Sequence, residues 1–295
     1  MTSRSRRSLM YAVFAAAGAL TLYAVPAVAA PEAPTGSTTR AGSQKISVPA
    51  YFYPGPLWDR LTQAGTGVGL AVANPYNGPG GGDDQYTAAI KKADAAGISV
   101  IGYVATGYFG TTGVTTRSGS TDPDEWMRQI KADVDVWYQL YGGAGLGGIF
   151  FDEGMARCGS ENTDVGRYIE LRNYVESRYG DNAVVVDNPG TGVEECYTEA
   201  ADTLVTFEGD ENSYRGHQPQ AWESSASPDK VWHLVYDVPD EGRMREVMEL
   251  SRQRNAGHVY ITPDTLADEN PWDTLPPDAY WNAEIDLAGG SAARR

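Results

Sequence analysis

The sequence predicts a single (β/α)8 barrel, an α/β fold, and three observations carry that prediction. Eight short runs rich in β-branched and aromatic residues are each bounded by turn residues, and helical patterns lie between most neighbouring runs. Several runs are apolar at successive positions, as in Val184-Val185-Val186, which suits strands covered on both faces. Eight such units within residues 45–295 match the size of a closed barrel, whereas an open doubly wound sheet usually holds fewer.

The chain begins with segments outside the barrel. Arg4, Arg6 and Arg7 precede an apolar stretch from Met10 to about Val25, which ends in Ala27-Val28-Ala29-Ala30. A basic start, a short apolar centre and a small-residue end describe an export signal over residues 1–30, not a stable membrane anchor. Arg6-Arg7 also loosely fits a twin-arginine signal, so the expected location is extracellular by the general or the twin-arginine route. Residues 31–44, rich in Pro, Gly, Ser and Thr, read as a flexible linker, and 45–295 as the catalytic-sized domain.

The expected strands are Ile46–Tyr53, Val68–Ala73, Ser99–Val104, Leu146–Phe151, Ala183–Asp187, Leu204–Phe207, Val231–Tyr236 and His258–Thr262. The clearest helix is Pro123–Tyr141, where Trp126, Ile130, Val134, Trp137 and Tyr141 make one apolar face. Asp122 before Pro123, with Glu125 following, is its start signal. Asp83–Ala96, Glu161–Tyr179 and Asp240–Asn255 also read as helices, and the stretches after the first, fifth and sixth strands are shorter. Gly143 to Gly148 spells G-x-G-x-x-G, but it precedes a strand instead of joining a strand to a helix, so it is turn punctuation and not a dinucleotide site.

Lys and Arg total 23 against 39 Asp and Glu, a formal net charge of -16; removal of a signal carrying three arginines and no acid takes this to -19. Such a surface disfavours nucleic acid and favours a cationic partner. Cys158 and Cys196, in an exported chain, are a candidate disulfide.

Barrel enzymes collect their chemistry at the C-terminal ends of the strands. Those ends carry Tyr53; Asn74, Pro75 and Tyr76; Tyr103 and Thr106; Asp152 and Glu153; Asp187 and Asn188; Glu208 and Asp210; Tyr236 and Asp237; Thr262 and Asp264. His217, His233 and His258 show no ligand spacing and no G-x-S-x-G elbow exists, so neither metal, cofactor nor serine chemistry is expected. Glycoside hydrolysis needs only two carboxyl groups. Tyr51, Tyr53, Trp58, Tyr76, Tyr103, Tyr108 and Tyr236 could stack on sugar rings, with Asn74, Asn188 and Asp237 bonding hydroxyls. Asp152, Glu153 and Glu208 each follow a bulky apolar run, where partial desolvation raises a carboxyl pKa.

Val48-Pro49-Ala50-Tyr51-Phe52-Tyr53-Pro54, Ala73-Asn74-Pro75 with Gly78-Pro79-Gly80, Gly102-Tyr103-Val104 with Thr106 and Tyr108, and Gly148-Ile149-Phe150-Phe151-Asp152-Glu153 together resemble the spherulation-specific family 4 (spherulin-4) proteins. Asn188-Pro189-Gly190 and Phe207-Glu208 continue the resemblance; the cysteine pair and the tail after about Leu266 lie outside it. It implies a (β/α)8 glycoside hydrolase, related to endo-α-1,4-polygalactosaminidases, that cuts galactosaminogalactan-type exopolysaccharide at N-acetylgalactosamine or galactosamine linkages. It further implies Asp152 as nucleophile, Glu208 as general acid/base in a retaining mechanism, and Glu153 as a positioning group. The expected partner is a polysaccharide, met by a monomer. The competing expectations are a carbohydrate-binding or cell-surface barrel with little turnover, and a hydrolase of another α-glycan.

Overall fold

The structure, a computed structural model, describes residues 43–268 and 270–289. The expected export signal and all but the last two residues of the expected linker lie outside the described residues. Gln44 already belongs to the fold: its side-chain amide donates to Ser251 Oγ and to the Ala256 carbonyl.

Eight parallel strands close into a barrel in chain order. They are β1 (Lys45–Ala50), β2 (Val68–Ala73), β3 (Ser99–Ala105), β4 (Leu146–Asp152), β5 (Val184–Asp187), β6 (Thr203–Asp210), β7 (Val231–Tyr236) and β8 (His258–Ile261). Pairing of Lys45 with His258 and of Ile46 with Val259 shuts the ring. Around it run α1 (Pro56–Gln63), α2 (Asp84–Ala95), α3 (Pro123–Tyr141), α4 (Thr163–Tyr179), α5 (Glu211–Gly216), α6 (Glu241–Gln253) and α7 (Asp278–Ala288). A 3-10 turn, Glu195–Glu199, replaces a helix between β5 and β6.

Local signals explain these elements. Asp122 accepts from the Asp124 backbone N–H at 2.8 Å and Pro123 opens α3, as the sequence predicts, but Glu125 pairs with Arg128 instead of turning back to the cap. The five apolar positions of α3 are all buried. Trp137 lies so close to β3 that a Cβ on Gly102 would collide with its ring, and its indole N–H donates to the Tyr103 carbonyl at 2.7 Å. A side chain at Gly102 would therefore push α3 off the barrel.

β1 ends three residues before its expected end at Tyr53. The Tyr51 N–H leaves the ladder and donates to the Trp272 carbonyl at 3.1 Å, which turns the chain toward the prolines that open α1. β6, in contrast, runs past Phe207 to Asp210, so Glu208 sits within the strand. None of the helices among the described residues is long and apolar enough to cross a membrane.

Glu284 of α7 is wholly buried; its Oε1 accepts the Ile261 N–H at 2.8 Å and its Oε2 has no partner. Burial pushes its pKa well above the ordinary range. A carboxyl group raised in the folded state contributes stability that is complete below its unfolded pKa, about 4.3, and is lost as pH rises toward the folded value. Glu284→Gln should consequently gain stability over the wild type as pH rises above about 5, by up to about 1.4 kcal/mol per pH unit until the folded carboxyl ionises. Denaturant titrations at several pH values check this, and a difference that stays constant as pH rises would refute it.

Candidate active site

The C-terminal ends of the strands open into a cleft of about 320 Å³ whose lining includes Tyr51, Asn74, Tyr103, Asp152, Glu208, Tyr236 and Trp272. A larger hollow of about 580 Å³ lies between α1 and α7, away from the strand ends, where Arg60 pairs with Asp278.

Asn188 organises the cleft floor. Its Nδ2 donates to Asp152 Oδ1 at 2.8 Å and to Glu208 Oε2 at 2.9 Å, so these two oxygens are at most 5.7 Å apart. Its Oδ1 accepts from the Gly190 N–H at 2.9 Å, which orients the amide so that its nitrogen faces both acids. Asn188 follows the last residue of β5, and its N–H donates to the Phe151 carbonyl at 2.7 Å, which docks it beside the end of β4. Alternation along β5 sends its neighbour Asp187 to the other face, where both carboxyl oxygens are buried without partners.

Each acid has a further polar neighbour. The Tyr103 phenol lies near Asp152 and favours its anion, and the Trp272 indole N–H donates to Glu208 Oε1 at 2.9 Å. Burial first, and the charge of Glu208 second, push the Asp152 carboxyl up to about 7, against the lowering influence of Tyr103 and the Glu153 backbone. Burial also raises the phenols of Tyr51 and Tyr103, so both remain donors. The raised Asp152 carboxyl keeps a proton at the bridged pair through the acid range, up to about pH 7.

The other expected site residues divide. Asn74, Tyr103 and Tyr236 line the cleft, and Tyr236 meets Trp272 edge-on at 6.0 Å. Asn188 lies beneath it as a bridge. Tyr53 does not line it: the ring is 60% exposed and its hydroxyl donates to Asp83 Oδ2, because β1 ends early and Tyr51 takes the inward place. Tyr76 is 75% exposed and packs over Gly80, outside the cleft lining. Trp58 is buried under α1, bonded to the Phe52 carbonyl, and cannot meet a sugar. Tyr108 and Asp237 adopt left-handed backbone and stay off the lining, and Asp237 is exposed.

Glu153 is also left-handed, with φ 55°. Thr106 holds that turn, its hydroxyl within 2.9 Å and 2.8 Å of the Asp152 and Glu153 carbonyls. The Glu153 side chain lies outside the lining but near enough to raise the Asp152 pKa. Cys158 and Cys196 form a disulfide, S–S 2.04 Å, linking the loop after β4 to the turn after β5.

Trp272, Asn77, Asn270 and Pro271 were not singled out in the sequence. Trp272 lies beyond the last strand, 64 positions from Glu208, and the loop that carries it has no strand end to mark it. The histidines divide as well. His258 is structural, its Nδ1 paired with Ser47 Oγ at 2.7 Å, but His217 and His233, separate in sequence, meet Glu223 on the outer side of β6 and β7.

The structure is similar to that of Sph3 from Aspergillus clavatus in complex with GalNAc, with a TM-score of 0.68 and 23% identity over 84% of this chain and 99% of that one. It also resembles a chitinase from Chromobacterium violaceum, TM-score 0.53 and 13% identity over 85% of this chain and 100% of that one. At these identities the likeness concerns the fold. Spherulin-4 of Physarum polycephalum is 33% identical over 169 residues, 56% of this chain, and the match spans 44% of that relative's length. The family model for spherulation-specific family 4 matches residues 45–288, well past Leu266 where the resemblance in the sequence faded. With almost the whole barrel covered, from β1 through α7, the chain belongs to spherulation-specific family 4.

Proposed function

We propose that this protein is a secreted, endo-acting glycoside hydrolase that cleaves α-linked N-acetylgalactosamine or galactosamine exopolysaccharide with retention of configuration. The observation that carries the reading is the Asn188 bridge, which keeps Asp152 and Glu208 oxygens within 5.7 Å of each other on an aromatic-walled floor. Retaining enzymes separate their carboxyl groups by about 5–5.5 Å, while inverting enzymes need about 6.5–9.5 Å to admit a water. Family membership, and the presence of GalNAc in the Aspergillus clavatus Sph3 complex, support an amino-sugar substrate.

In this mechanism Asp152 attacks the anomeric carbon as the bond to the leaving oxygen breaks, and Glu208 delivers its proton to that oxygen. Glu208 then takes a proton from water, whose oxygen displaces Asp152 and restores the free acid. Tyr51 and Tyr103 offer phenolic donors beside the acids, and Tyr236 and Trp272 offer faces to the ring. The opposite division of labour has its own support: Asp152 is the carboxyl raised to about 7, while two donors hold Glu208. Azide separates the two. With galactosaminogalactan and NMR of the anomeric signals, azide rescue of the nucleophile's Ala variant yields a glycosyl azide of inverted configuration, and of the acid/base variant a retained one. Absence of cleavage in any galactosamine polymer by the wild type would remove the substrate assignment.

Either division requires the shared proton. kcat/KM should therefore decline above about pH 7, approaching tenfold per unit, as the pair loses that proton. A profile flat to pH 9 would contradict a carboxyl acid at this site.

A further inference from the structure

We propose that His217, Glu223 and His233 form a structural site for a divalent transition-metal ion, zinc above all, outside the lining of the hydrolytic cleft and independent of the glycosidase reading. One donor atom from each of the three lies within 4.8 Å of the other two. Two imidazole nitrogens and a carboxylate oxygen are a donor set that zinc takes readily, with a fourth position left for water.

The polar atoms of the cluster point to a missing ligand. Nε2 of both His217 and His233 is buried with no hydrogen-bond partner, and an unpaired buried nitrogen is costly. His233, wholly buried, stands 3.9 Å from Glu223 Oε2, too far for a hydrogen bond to satisfy its Nε2. Its other nitrogen, Nδ1, lies 2.8 Å from the Tyr214 hydroxyl. With Nδ1–H donating to that oxygen, the Nε2 lone pair faces the cluster, the arrangement that metal-bound histidines adopt.

Glu223 is held in the same way. Its Oε1 accepts the Gln220 N–H at 2.7 Å and its Oε2 accepts from Thr206 Oγ1 at 2.8 Å, a carboxylate fixed by outer donors. Zinc bonds of about 2.0–2.1 Å set tetrahedral donors about 3.4 Å apart, so the cluster must contract on binding. His217 permits this: it is only partly buried, follows the short α5, and is flanked by exposed Gly216 and Gln218, which also provide the ion's way in. The guanidinium of Arg254, 4.3 Å from the centre of the Tyr214 ring, is a nearby positive charge that sets the expected affinity below that of thiolate zinc sites.

The ion would tie β7 to the crossover that follows β6. His233 pairs in register with Phe207, whose neighbour is Glu208, and Thr206 bonds Glu223. Metal binding should accordingly raise stability and leave the chemistry of the cleft to the carboxyl pair.

The test takes the purified protein, strips it with chelator, and titrates Zn²⁺ against a chromophoric competitor, with Co²⁺ as a spectroscopic substitute. One ion per chain is expected, with visible bands of four-coordinate cobalt and a Tm raised by about 5 °C or more at a hundredfold excess over Kd. His217→Ala, at the partly exposed ligand, should keep the far-ultraviolet circular dichroism of the wild type and lose both the ion and the Tm rise. Glu223→Gln should weaken binding at least tenfold. Failure of the wild type to bind stoichiometric zinc, or unchanged binding in folded His217→Ala, overturns the site.

Discussion

Asp152→Asn and Glu208→Gln should each fold like the wild type and lose on the order of 10⁴-fold in kcat. Each amide keeps the shape of the acid it replaces and can still meet Asn188, so the loss reports chemistry and not collapse of the cleft. One change removes the group that attacks the sugar, the other the group that protonates the leaving oxygen, and both abolish the shared proton. Asp152→Asn should also gain stability at neutral pH. Its carboxyl is raised to about 7, so the wild type surrenders stability as pH climbs from about 4 toward that value, while the amide does not titrate. Reducing-end release and thermal melts at pH 5 and 8 measure both effects. Activity within tenfold of wild type in either variant would exclude that residue from the reaction.

Asn188→Ala is the second large expectation, a loss of about 10³-fold in kcat with little change in KM. Asn188 acts through the two acids: one nitrogen supplies a donor to each and so sets both their spacing and their protonation. Removing that donor withdraws stabilisation from both carboxylate anions, so the decline of kcat/KM at high pH should move upward. A purely structural role would lower activity without displacing the profile. The profile is therefore the deciding measurement.

Much of this architecture was legible in the chain. Strands such as Val184–Asp187 and Val231–Tyr236 announce themselves because a parallel strand covered on both faces must be apolar at consecutive positions. The α3 face was readable for the corresponding reason, a stripe repeating at the helical period. Asp152 and Glu208 stood out as acids directly after apolar runs. The expectation at Tyr53 went astray because a strand's end depends on its partner: β1 releases at Tyr51, whose N–H finds the Trp272 carbonyl far along the chain. Trp272 itself was invisible, since an indole in a loop carries no periodic signal.

The histidines teach the same lesson. His217 and His233 have no metal-ligand spacing, yet the crossover after β6 folds back and sets them around Glu223. Spacing rules detect ligands that share one element and miss those brought together by a return across the barrel.

The sequence by itself determined the barrel, the strand ends that carry the acids and the family of the chain, because these follow from local hydrophobic period and short motifs. Only the tertiary structure decided that Asn188 bridges the acids, that Trp272 donates to Glu208, that Tyr51 replaces Tyr53, and that Asp152 holds its proton to about pH 7. Those outcomes depend on distance and desolvation between residues far apart in the chain, quantities that exist only once the ring of strands has closed.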